Sequence, residues 1–187
     1  RGFNPHPKIV FSPPIPVGME SRMELVDIPL LEVSGEPKIL EVFRKIQGGL
    51  PKGLRPWAAW RLGPGFISAA NSVATATYEI NLPGEFSRSD LKEEIENSID
   101  RAMAANAIEI KRIRKGKTIY FDARPTISEL WAKTIMPRSG GDSGLRLYLT
   151  LRDKEGTKPK VFDILTACLG LSRKDCLRAQ IRKIKIQ

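Results

Sequence analysis

One histidine, His6, stands between Pro5 and Pro7 in the opening stretch RGFNPHPKIVF. A residue before proline is driven into an extended conformation, and each proline ring removes an amide donor and narrows the loop's freedom. The loop motif Gly2, Phe3, Asn4, Pro5, His6, Pro7 and Lys8 therefore reads as stiff backbone that aims one imidazole. An imidazole titrates near neutral pH and can serve as a general base. A metal would need three or four ligands, and the chain has no second histidine and only two cysteines, Cys168 and Cys176. Hydrogen bonding of His6 to nearby backbone is the simpler reading. The second acid–base candidate is Asp122 in the segment FDARP, two residues before Arg124 and closed by Pro125. A carboxylate in such a corner is either catalytic or a local anchor, and a carboxylate–guanidinium bond fixing the turn is the plainer expectation. Asp27 in LVDIP reads the same way, as a structural acid at a strand end.

A stronger signal is a run of cations. Lys111, Arg112, Arg114, Lys115, Lys117 and Arg124 fall within 14 residues, with Asp122 the only acid among them. Like charges at that density repel unless an anion is near. On a two-stranded ribbon they suit a phosphate backbone, with Tyr120 placed to stack on a base. About six such phosphate contacts would give a log–log salt slope near −5. The plainer alternative is a solvated hairpin whose lysines protect a strand edge from foreign pairing. A second cluster, Arg173, Lys174, Arg178, Arg182, Lys183 and Lys185 against Asp175, ends the chain and either widens the basic surface or frays as a charged tail.

The bulk charge agrees. The 187 residues hold 31 Lys+Arg against 21 Asp+Glu, a formal net charge of +10. Such an excess favours a polyanionic partner, of which RNA fits the hairpin best. No apolar run approaches the roughly 18 residues that span a bilayer, so no membrane partner is expected. The Cys-x7-Cys spacing fits no zinc pattern and makes a poor disulfide framework, which points to a reducing, cytoplasmic setting. No glycine-rich phosphate loop is present.

The elements that must position these groups read as two similar halves, 1–68 and 69–187. In the first, KIVF and RMELVDIPL read as strands and SGEPKILEVFRKIQGG as a helix with Pro37 in its first turn. Ile39, Leu40, Phe43 and Ile46 form its apolar face, and LRPWAAWRL reads as a further strand. In the second, NSVATATYEINL is a strand. FSRSDLKEEIENSIDRAMAAN is a helix capped by Ser87 or Ser89, with a buried stripe of Leu91, Ile95, Ile99 and Met103. AIEIKRIRKGKTIYFDARPTI is a hairpin turning at Lys115–Gly116, and GLRLYLTL a strand. GTKPKVFDILTACLGL is a helix capped by Thr157 that ends at Gly170, and CLRAQIRKIKIQ is a basic strand. Trp57, Trp60 and Trp131 are expected in core or inter-domain packing. The fold class expected is α+β, with tandem ferredoxin-like (βαββαβ) domains. The first half lacks the opening strand and helix of that unit, as in a fragment cut just before Arg1.

The stretch GFNPHPKI, the P-x-G-x-x-S run PVGMES, the K-G-K-T hairpin RIRKGKTIYFDARP and the closing GLRLYLTL and KPKVFDILTACLGL occur in the order found in the radical-SAM-linked proteins, a domain of unknown function. The chain resembles that family over essentially its whole length. The resemblance implies a preceding strand and helix, and a radical SAM protein as a fused or separate partner. The iron–sulfur cluster, S-adenosylmethionine and, where the partner binds it, cobalamin would sit on that partner, because this chain has no Cys-x3-Cys-x2-Cys motif and holds no cofactor of its own. The expectation that follows is a non-catalytic module that recognises structured RNA, tRNA or rRNA, through the basic hairpin. An RNA-modifying or RNA-processing enzyme using His6 or Asp122, and a module that docks on the radical SAM protein, are the alternatives.

Overall fold

The computed structural model describes residues 9–30, 38–114, 116–135, 144–153 and 159–187, with only the backbone of Arg114. The loop motif with His6, and also Lys115, Pro37 and Thr157, lie outside the described residues. In chain order the elements are β1 (Val10–Phe11), β2 (Glu20–Ser21), β3 (Val26–Asp27), α1 (Ile39–Gly49), α2 (Ala69–Ser72), β4 (Thr75–Asn81) and α3 (Ser89–Ala104). There follow β5 (Glu109–Arg114), β6 (Lys117–Asp122), β7 (Ile127–Ile135), β8 (Gly144–Arg152), α4 (Val161–Leu169), α5 (Arg173–Arg178) and β9 (Gln180–Ile186). The fold is mixed α+β.

The main sheet has the order β2-β9-β4-β8-β7. Its last four strands run antiparallel, while β2 adds to β9 in parallel. Alternation decides its faces. Leu145, Leu147, Leu149 and Leu151 of β8 all point to one side, join Ile80 and Ile181, and are buried. The helices cover that side: Ile95, Ile99 and Ala102 of α3 and Val161, Ile164, Leu165 and Leu169 of α4 complete the core. Within the expected α3 stripe, Leu91 and Met103 are half-buried, and Ser98 and Ala102 are buried beside Ile95 and Ile99. The N-cap of α3 is Arg88, with no side-chain bond to the first amides, rather than Ser87 or Ser89. The N-cap of α4 is Lys160 rather than Thr157, and Gly170 ends the helix in the left-handed region at φ 66°, where a side chain would be strained.

Three expectations are corrected. LRPWAAWRL forms no strand: Gly53 turns the chain just before it at φ 101°, and Pro56 lacks an amide donor, which disfavours a ladder through the segment. Its tryptophans are accordingly not core; Trp57 and Trp60 are 74% and 59% exposed. Second, the basic hairpin contributes no strand to the main sheet. β5 and β6 pair only with each other among the described residues, and β7, which the sequence reading passed over, holds the sheet edge. A bulge between Ile127 and Glu129 explains the omission: the inward residues of β7 are Ile127 and Leu130, three apart, which hides the period of two. Third, CLRAQIRKIKIQ is not one strand, since Cys176–Arg178 finish α5. Ser172 caps that helix, accepting from the Asp175 amide at 3.2 Å while its own amide donates to Asp175 at 3.1 Å. In the first half, α1 forms as its spacing predicts, but no residue of it is buried, and Leu40 remains 57% exposed.

A polar node fastens the first half to the sheet. Lys183 of β9 shares the inward face with Ile181 and is fully buried. Its ammonium lies 2.8 Å from each oxygen of Glu24 and donates to the Pro13 carbonyl at 2.9 Å. Ser12, also fully buried, donates to Glu24 Oε2 at 2.9 Å and accepts from the Leu25 amide at 3.2 Å. Burial first, and then the Glu24 carboxylate, push the neighbouring Tyr78 phenol above its ordinary pKa. Asp27 is structural as expected: its carboxylate accepts the Ala69 amide at the start of α2, at 2.8 Å.

Candidate nucleic-acid interface

The hairpin register is Glu109↔Asp122, Ile110↔Phe121, Lys111↔Tyr120, Arg112↔Ile119, Ile113↔Thr118 and Arg114↔Lys117. Gly116 makes the turn possible with φ 75°. Alternation then separates the basic residues. On one face, Ile110 and Phe121 pack into the core, and the Arg112 guanidinium pairs with Asp163 at the start of α4 while sitting 4.9 Å from the centre of the Phe121 ring. Arg112 is thus an anchor of the hairpin. On the opposite face Lys111 stands directly across from Tyr120, which is 56% exposed, and Ile113 and Thr118 lie beside them in solvent. Lys117 is exposed near the tip.

Arg124 and Asp122 build the corner that follows. Asp122 Oδ1 accepts the Ile108 amide at 2.8 Å and the Arg124 amide at 2.9 Å. Arg124 donates through Nη2 to the Met103 carbonyl in the last turn of α3 at 2.8 Å, and through Nη1 to the Ile127 carbonyl at 3.0 Å. The Met103 carbonyl, at a helix end, would otherwise be short of a donor. The corner is thus fixed differently from the carboxylate–guanidinium bond expected: Asp122 Oδ1 takes backbone amides, and the Arg124 guanidinium takes backbone carbonyls. Of the grouped candidates, the structure brings Lys111 and Tyr120 together on an open face and turns Arg112 and Arg124 inward.

Three of the C-terminal cations are likewise engaged. Arg178 pairs with Glu85, Arg182 with Glu20 and more distantly Glu79, and Lys183 with Glu24. Among the described residues no group of three or more His, Cys, Asp or Glu side chains stands together as a metal site. Cys168 lines a cleft of about 380 Å³ between α3 and α4, with Ser98, Arg101, Ala102, Ile108 and Ala167. Burial pushes its thiol up to about 11, opposed by the charge of Arg124. At neutral pH it is protonated and a poor nucleophile. Alkylation by iodoacetamide should therefore be slow at pH 7.5 and climb steadily through pH 11; a plateau by pH 9 would contradict this environment.

Trp131, expected in core or inter-domain packing, is instead 44% exposed and has a partner that the sequence does not reveal. Trp131 of β7 and Tyr148 of β8 are cross-strand partners on the face of the main sheet away from the helices. Their rings stack with centroids 4.1 Å apart and planes 17° apart. Only the register between two strands, one of them bulged, brings them together. No helix among the described residues is long and apolar enough to cross a membrane.

The family model described as an uncharacterized protein conserved in bacteria, DUF2344, matches residues 1–159. The chain belongs to that family. The match covers the GFNPHPKI stretch, the hairpin and β8 of this DUF2344 chain, and accords with the resemblance to a domain of unknown function. No curated protein and no solved structure matches it.

Proposed function

We propose that this chain is an RNA-recognition module without chemistry of its own, serving a radical SAM protein, and that the outer face of the β5–β6 hairpin, together with the exposed Lys117 at its tip, meets RNA. The observation that carries the reading is the exposed Lys111–Tyr120 pair on a ribbon that projects from a chain of net charge +10. A cation beside an open aromatic ring serves phosphate and base together. The burial-raised thiols and an Asp122 carboxylate already occupied by two amides favour binding over catalysis. An iron–sulfur cluster does not fit this chain, whose two cysteines are both driven toward the protonated thiol by burial, so the radical chemistry is assigned to the partner.

The scaffold we read for residues 69–187 is a ferredoxin-like βαββαβ unit with the hairpin inserted before its second strand. The antiparallel order β9-β4-β8-β7 with α3 and α4 on one face supports it.

Fluorescence anisotropy with labelled tRNA tests the function. Because Arg112 and Arg124 are held by protein partners, the salt slope should be well short of −5, and removing each contacting lysine should make it shallower by about 0.9. Lys111→Glu combined with Lys117→Glu should weaken binding at physiological salt by roughly 10-fold or more, on the scale of one to two lost phosphate contacts. Binding and slope that match the unaltered chain would remove the hairpin from the interface.

A further inference from the structure

The face of the main sheet opposite the helices carries its own arrangement of groups. Trp131 is 44% exposed although its ring already stacks on Tyr148, so one side of the indole rests on a ring and the rest meets solvent. Lys133, two residues along β7, is exposed on the same face and pairs in register with Arg146 of β8. Arg146 is held in place, donating through Nε to Asn81 at 2.7 Å and through Nη1 to Glu79 at 3.0 Å. At the other end of the same strands Arg152 donates to Ser128 at 3.0 Å. Of the acids on this face, Glu79 pairs with Arg146 and Arg182 and Glu20 with Arg182, while Glu129 accepts from the Thr150 hydroxyl and keeps its charge against the five cations Lys133, Arg146, Arg152, Arg182 and Lys185. Among the described residues Lys133 and Lys185 have no carboxylate partner, so the balance left over is positive.

We infer that this sheet face is a second contact, a stacking platform on which an unpaired base of single-stranded RNA lies against Trp131 while Lys133 and Arg152 meet the flanking phosphates. The inference rests on the RNA reading above and deepens it by naming the substrate form. A duplex keeps its bases stacked inside and offers none to an indole; a loop or single strand does. Stacking is tolerant of sequence because every base has a π face. A cross-strand aromatic pair that merely stabilises the sheet would also lower stability when cut, so stability cannot distinguish the two. RNA contact at the indole can.

The test uses the full chain with Trp57→Phe and Trp60→Phe, leaving Trp131 as the sole tryptophan. A 12-nucleotide single-stranded oligoadenylate and a 12-base-pair RNA duplex are titrated in turn at low salt. The expected result is saturable quenching of Trp131 by the single strand and little by the duplex. Trp131→Ala should weaken single-strand binding roughly 10-fold, and Trp131→Tyr should restore most of it. If Trp131 is not quenched and Trp131→Ala binds as the parent does, while Lys111→Glu with Lys117→Glu loses binding, the platform is overturned and the hairpin reading stands. If no RNA binds to any of these proteins, both readings fall.

Discussion

Lys183→Met is expected to lower the unfolding free energy by about 3 kcal/mol, the lower part of the range for breaking a buried ion pair. The lower part applies because the Glu24 side chain keeps 26% of its surface in water, although Lys183 keeps none. The ammonium holds Glu24, the Pro13 carbonyl and, through Glu24, Ser12, so its loss leaves a carboxylate facing Tyr78 without a cation. In a chain of this size that is roughly 5–10 °C in Tm. Glu24→Gln added to Lys183→Met should recover part of the loss, since the orphaned charge is what costs most. Differential scanning calorimetry of the two variants decides it. A Tm for Lys183→Met within a degree of the parent would mean that the node does not hold the first half in place.

Arg124→Ala is expected to cost about 2–3 kcal/mol, because two charge-assisted bonds are lost and the Met103 carbonyl at the end of α3 is left short of a donor. Its effect on RNA affinity, measured well below the transition, should stay within about twofold, the scale of a residue that makes no phosphate contact. Lysine at this position should not rescue stability, since one ammonium cannot reproduce the two-pronged geometry of the guanidinium. Urea unfolding and anisotropy on the same preparations separate the two roles. Unchanged stability with a steep fall in affinity would return Arg124 to the phosphate-binding set.

Local signals were readable where the chain solves its own geometry. The Ile95–Ile99 core of the α3 stripe, the hairpin turn at Gly116 and the Gly170 stop each follow from spacing or from one permissive residue, and each lies where the sequence places it. Long-range partners were not readable. Lys183 looks like surface charge in QIRKIKI, and only the approach of Glu24, 159 residues away, makes it a core residue. Arg112 and Arg124 look like members of one basic patch until α4 and the end of α3 supply their acceptors. Trp131 and Tyr148 lie in separate strands whose pairing crosses an irregular register. The His6 loop, the most specific stretch of the resemblance, lies outside the described residues, and its role is unaltered by the geometry above.

The independence of the hairpin ladder bears on how such a chain can diverge. β5 and β6 share no ladder with the main sheet among the described residues and are moored to the body by Ile110, Phe121 and the Arg112–Asp163 pair. Residues can be gained, lost or recharged around Gly116 without shifting the register of any strand below. Selection can therefore retune what the ribbon grips while the scaffold drifts only slowly, as a tool bit is exchanged in a fixed chuck.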